Sequence, residues 1–194
     1  MTRSRSGVPL AGRPPRVRHA PNVRANSWED VADLSASLGV PLDEWQEAGL
    51  QAAMGERADG RWAARIVGVS TPRQNGKSQL IVARALAGVL LFDEKTIICS
   101  AHQTDTAREV FQRLLDIVEA NPSLERRVDS VMKAINREHI RFKTGQIIRI
   151  KARSIAGGRG FSCDCLLLDE AQILGAAAWA TILPTMSARD NPQA

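Results

Sequence analysis

Along the chain, stretches in which apolar residues recur every three or four positions alternate with short runs in which nearly every residue is apolar. From Asn26 a helical period puts Val31, Leu34 and Leu38 on one face, with Asn26 or Ser27 able to cap it, and Gly39 and Pro41 end it. A second short helix is predicted over 43–54, with Trp45, Leu50 and Met54 as its apolar positions. Residues 63–70 form a β-branched run closing in turn residues, which predicts a strand. Residues 77–92 are apolar on nearly every side, as in a helix buried against a sheet, and 96–100 read as a buried strand. An amphipathic helix follows over 104–119, stopped by Asn121-Pro122. Residues 140–150 alternate around Gly145 and predict a hairpin. The run 165–168 predicts a continuous apolar strand, and 176–186 a helix that Pro184 disturbs. Strands alternating with helices imply an α/β fold with a mainly parallel sheet and helices on both faces.

Length and composition leave that picture intact. With 194 residues, 44% hydrophobic and 24% charged, the chain is the size of one large domain with a core of its own. No 18-residue apolar run is present, so no membrane partner is expected. Cys99, Cys163 and Cys165 are too few for a disulfide framework and, with three scattered histidines, give no zinc spacing; a reducing, intracellular setting is the simpler reading. Cys163 and Cys165 alternate on a strand and read as packing residues, as do Trp62 and Trp179.

Charge divides the chain in two. Residues 1–28 hold six arginines and no acid, leaving 20 basic against 21 acidic residues in the remainder. With Pro9, Pro14, Pro15 and Pro21, residues 1–26 read as a basic, irregular arm, and 27–194 as the folded domain. The arm is either a phosphate-contacting segment or a solvated leader.

The candidate chemistry begins at Thr71-Pro72-Arg73-Gln74-Asn75-Gly76-Lys77-Ser78, between a predicted strand and a buried helix. A P-loop needs Gly, four residues, then Gly-Lys-Ser/Thr, because backbone N–H groups and a helix N-terminus wrap phosphate while Lys and the hydroxyl reach phosphate and Mg²⁺. Thr71 stands where the first glycine is expected. Asp169 and Glu170 follow the strand 165–168, 92 residues after Lys77, where open α/β sheets place their ligands. An Asp-Glu pair after apolar residues is by itself a strand end. Together with the P-loop it reads as a Walker B motif, Asp169 holding Mg²⁺ and Glu170 activating water for ATP hydrolysis. Trp45-Gln46 is either an adenine-edge reader or a core Trp beside a polar neighbour. Arg73 either pairs with phosphate or faces solvent. The glycine-rich loop 154–160 is either a plain turn or a means of presenting Arg159 outward.

These motifs resemble one family, the large terminase subunit of tailed bacteriophages, in its N-terminal DNA-packaging ATPase domain. The resemblance rests on Trp45-Gln46, the deviant P-loop, the segment 100–104, Gly158-Arg159-Gly160 and the segment 166–172, and it runs from about Leu42 to Gln193. It implies a P-loop NTPase fold of ASCE/RecA-like type, ATP and Mg²⁺ as ligands, and translocation of double-stranded DNA. It implies as partners a portal protein, a small terminase subunit and further copies in a ring, in host cytoplasm on a viral procapsid. Roles for Gln46 in adenine binding and for Arg159 as a trans-acting arginine finger also come from the resemblance. Family members carry a nuclease domain after the ATPase; this chain stops at Ala194, so no nuclease activity and a sheet truncated at its C-terminus are expected. A superfamily 2 helicase-like ATPase is the runner-up, since Asp169-Glu170-Ala171-Gln172 resembles its DExx box, although it needs a second RecA-like domain. A small P-loop kinase needs a lid and an acceptor pocket. A non-catalytic DNA-binding module sits poorly with a net acidic folded part.

Overall fold

The computed structural model describes residues 15–72, 74–135, 137–152, 162–182 and 184–194. The fold begins with β1 (Ala25–Asn26), α1 (Trp28–Ser37), α2 (Glu44–Ala53) and β2 (Gly55–Glu56). β1 pairs antiparallel with β2, and Arg24 N–H donates to Glu56 O at 2.7 Å. Residues 24–26, placed in the arm by composition, are thus tied to the fold by backbone bonds that composition does not reveal. α1 ends where Gly39 turns through φ 83°. α2 starts at a capping box in which Asp43 caps and Gln46, at the third helical position, reaches back to the Asp43 N–H.

The remaining elements are α3 (Lys77–Leu90), β3 (Thr96–Ala101), α4 (Thr104–Ala120), α5 (Pro122–Glu125), β4 (Val128–Met132), β5 (His139–Phe142), β6 (Ile147–Ala152), β7 (Cys165–Leu168), a 3₁₀ turn (Ala171–Ile173), α6 (Ala176–Ile182) and α7 (Pro184–Ser187). The five-stranded sheet has the order β4-β5-β6-β3-β7. β6, β3 and β7 are parallel, while β5 and β4 add antiparallel to one side. Only four residues join β5 to β6, too few for a crossover, so that pair can only be a hairpin.

Within the run predicted as a strand over 63–70, Ala63 N–H donates to Gly55 O (2.8 Å) and Val67 N–H to Ala194 O (2.7 Å), while Ala194 N–H donates to Arg65 O (2.9 Å). On its other side the chain end meets β7, through Leu166 N–H to Gln193 O (2.9 Å) and Gln193 N–H to Asp164 O (3.0 Å). Residues 193–194 therefore lie between 65–67 and β7. These separate bonds make no ladder along 63–70, which corrects the strand expectation.

Helices lie on both faces of this sheet, the two long ones together on one of them. α3 and α4 share one face, where Val82, Leu86, Val89, Phe111, Leu114 and Leu115 pack on Ile97, Cys99, Ile140, Phe142, Ile148 and Ile150. From 65–67 to β3 and from β3 to β6 the chain advances in one direction along the sheet. Right-handed crossovers in one direction put both helices on the same side. On the opposite face, among the described residues, Met186 of α7 covers Ile98 and Leu166, beside Cys163.

α3 is apolar all round because it serves two cores. Its second side packs against Val31, Leu50, Met54 and Trp62, which brings α1 and α2 onto the helix. All three cysteines are free and buried, as packing residues should be, and burial pushes the Cys99 thiol up to about 12. Among the described residues no helix is long and apolar enough to cross a membrane.

Candidate active site

The loop before α3 turns twice through the left-handed region, at Gln74 (φ 60°) and Gly76 (φ 76°). Gly76 carries that conformation at no steric cost, and Gln74 does so under strain. Thr71 is not among the described residues of positive φ, so a β-branched side chain fits where the general pattern has glycine. Asn75 Nδ2 reaches Thr71 Oγ1 at 3.4 Å across the loop. Pro72, Gln74, Asn75 and Gly76 are exposed, and Arg73 lies outside the described residues.

Gly76 caps α3, so Lys77 and Ser78 are its first residues, with no acidic side chain in the first turn. The free N–H groups and the positive end of the helix dipole there favour an anion. β7 brings Asp169 to the same place. Its N–H donates to Ser100 O at 2.8 Å, extending the ladder beside β3, and leaves its carboxylate buried. Oδ1 accepts from the Glu170 N–H at 2.8 Å. Ser78 Oγ stands 3.4 Å from Oδ2, and Lys77 Nζ 3.7 Å from Oδ1. Glu170 holds φ 53°, ψ 42°, a conformation costing on the order of 1 kcal/mol for a side chain of its size. Strain at the one half-exposed carboxylate beside Asp169 is what a functional site retains.

A hydroxyl and a single carboxylate suit Mg²⁺, which keeps most of its waters and takes substrate oxygens for the rest. Among the described residues no group of three His, Cys, Asp or Glu could enclose a metal. Ser78 and Asp169 are of the residue types that suit a cation shared with a phosphate.

Gln46 is 1% exposed. Its Oε1 accepts from Asp43 N–H (2.7 Å) and its Nε2 donates to Gly76 O (2.9 Å). It is brought to the loop with its amide engaged by backbone on both sides; Trp45 beside it is half-buried. Arg159 and its glycine-rich loop lie outside the described residues. Sequence reading missed Gln79, in the first turn of α3, whose Nε2 donates to Pro41 O at 2.7 Å. A glutamine two residues after the P-loop lysine looks solvent-facing in sequence, and no periodic signal marks it. A cavity of about 280 Å³ opens at the far end of α3, between Trp62, Phe92 and Arg189, and no predicted site residue lines it.

Residues 51–178 match the family described as phage terminase large subunit gpA, ATPase domain. The matched span contains the loop, Asp169 and Glu170; Trp45 and Gln46 precede it. Among solved structures, the chain resembles the HK97 bacteriophage large terminase, with TM-score 0.73 and 20% identity over 87% of this chain and 37% of that one. It also resembles the Thermus phage P74-26 large terminase ATPase domain, with TM-score 0.62 and 20% identity over 83% of this chain and 66% of that one. The chain thus spans just over a third of the HK97 protein's length. No curated protein sequence matches it.

Proposed function

The chain belongs to the phage terminase large subunit gpA ATPase-domain family, and we propose that it is the ATP-hydrolysing motor of a viral DNA-packaging terminase, with a P-loop NTPase fold of ASCE/RecA-like type. The observation that carries this reading is the meeting of Lys77 and Ser78 with Asp169, at 3.7 and 3.4 Å, from opposite parts of the sequence.

In this reading the loop 71–78 wraps the phosphates of ATP. Lys77 leaves its loose contact with Asp169 to compensate charge on the β and γ phosphates, and Ser78 and Asp169 hold Mg²⁺. The metal supplies charge neutralisation on the phosphate oxygens. Glu170 takes a proton from the attacking water as its oxygen adds to γ-phosphorus and the bond to the ADP oxygen breaks, giving ADP and phosphate. Arg159 from a neighbouring copy acts as the finger that stabilises transition-state charge. Motor action draws in double-stranded DNA, a portal protein, a small terminase subunit and a ring of copies, in host cytoplasm on the procapsid.

Phosphate release from MgATP tests the reading. Lys77→Ala abolishes turnover and weakens ATP binding, whereas Glu170→Gln binds MgATP normally and hydrolyses it about a hundredfold or more slower. Arg159→Ala stays slow at every protein concentration, and mixing it with Glu170→Gln restores part of the activity, since each copy owns what the other lacks. Unchanged turnover in Lys77→Ala overturns the site.

A further inference from the structure

Two glutamines cross between the site's loop and the segment that precedes α2. From α2, Gln46 Nε2 donates to Gly76 O at 2.9 Å while Oε1 holds the Asp43 N–H at 2.7 Å. From α3, Gln79 Nε2 donates in the reverse direction, to Pro41 O at 2.7 Å and more weakly to Val40 O at 3.4 Å. The Gln79 backbone N–H also points at Gly76 O, at 3.0 Å. Gly76 O therefore has two donors, and both are tied to the stretch 40–46.

The consequence follows from peptide geometry. Gly76 C=O and Lys77 N–H belong to one planar trans unit and point opposite ways. Anchoring the carbonyl toward α2 aims the Lys77 N–H away from it, into the open side of the loop, where it is one of the orphan donors of the helix start. Gly76 is in the left-handed region and exposed, so without the anchor this peptide has little to fix its rotation. A Cβ at Gly76 would sit 2.8 Å from Gln46 Nε2, which shows how closely the amide is pressed onto that peptide.

We propose that Gln46 and Gln79 form a reciprocal clamp that fixes the Gly76–Lys77 peptide for binding a phosphate oxygen, so that both act as positioning residues and the Gln46 amide is committed to the loop instead of to a base. The clamp rests on the phosphate-site reading above and deepens it. It needs no contact between either glutamine and the nucleotide. Its effect is on phosphate affinity, whatever base is attached.

The test is equilibrium binding of ATP, GTP and inorganic tripolyphosphate, each with Mg²⁺, to the wild type, Gln46→Ala, Gln79→Ala and the double variant, with unliganded unfolding midpoints measured alongside. Loss of one such hydrogen bond corresponds to about fivefold in affinity. Each single variant weakens all three ligands by a common factor of about that size. The double variant falls short of the product of the two, because both act on one peptide. Gln79→Ala removes a bond at the protein surface and keeps the α2 capping box, so it remains a folded test if Gln46→Ala does not. Loss confined to ATP, or unchanged affinity for all three ligands in Gln79→Ala, overturns the clamp. Lys77→Ala run in parallel separates the two readings: if it too leaves tripolyphosphate affinity unchanged, the phosphate site itself is wrong.

Discussion

The start and the middle of α3 carry the same kind of interaction in opposite states. At the first turn, Lys77 and Asp169 stand 3.7 Å apart, with the lysine side chain 30% exposed. Two turns further on, Arg84 and Glu94 form a two-pronged pair at 2.6 and 2.8 Å, 5% and 7% exposed. Arg84 also donates to Gln193 Oε1 at 3.1 Å and lies 5.3 Å from the Trp62 ring centre and 5.5 Å from that of Phe92. Burial pulls the Arg84 pKa down, but the neighbouring Cys165 and Glu94 push it above its ordinary value. Burial raises Cys165 well above its usual range, so at neutral pH that thiol is uncharged and Glu94 is the anion that holds the arginine. A pair this complete has nothing left for a ligand. A long, half-wet pair at a helix N-terminus has a lysine it can surrender.

That contrast can be broken from the tight pair first. Glu94→Ala strands a buried guanidinium and costs about 3–5 kcal/mol of folding stability, read in urea unfolding. Gln193, which links Arg84 to Ala53 O and Ala64 O, loses its anchor in the same variant. Gly88→Ala comes next. A Cβ there would press on Glu94 Oε2 and stand 2.6 Å from Ile97 Cδ1 and 3.1 Å from Arg84 Nη1, so the pair must open, at about 1–3 kcal/mol. Wild-type stability in either variant contradicts the structural role given to this pair.

A further effect, spread over several pH units, is a pH dependence. The Cys99 thiol sits at about 12 in the fold, above its unfolded value, so its contribution to stability is whole below about pH 8.5 and is lost as pH rises toward 12. Over that window stability falls by up to ~1.4 kcal/mol per pH unit for this thiol, and Cys99→Ala flattens the slope. An unchanged slope in Cys99→Ala would show that the thiol does not titrate with unfolding.

Legibility in sequence follows the same division. α3, α4, β3 and β7 were readable because burial on one stripe or on both faces leaves a periodic or continuous apolar trace. Lys77, Ser78, Asp169 and Glu170 stand out in sequence because the general P-loop and Walker B patterns set residue types at recognisable places, and the structure brings the first three together. The pairing of 65–67 with Ala194, the strand β4 at the sheet edge and the common face of α3 and α4 depend on which segments meet, and that leaves no local mark. Arg84 is one cation in an apolar run; nothing in its own neighbourhood announces Glu94 ten residues on and Gln193 at the chain end. For Gln46 the residues alone leave an adenine-edge reader and a polar neighbour of a core Trp both open, and its bonds to Asp43 and Gly76 appear only once α2 is docked on α3.

Thermal unfolding of the wild type and Lys77→Ala, each with and without MgATP, tests most directly whether the first turn of α3 is the ligand end. At ATP near a hundred times its Kd, the wild type gains about 2.7 kcal/mol, a rise of roughly 5–10 °C in midpoint. The account predicts that Lys77→Ala keeps the unliganded midpoint within about 2 °C, since Asp169 retains Ser78 and the Glu170 N–H, and loses the ATP-induced rise. A variant that keeps the full rise, or that loses unliganded stability on the scale of Glu94→Ala, contradicts it.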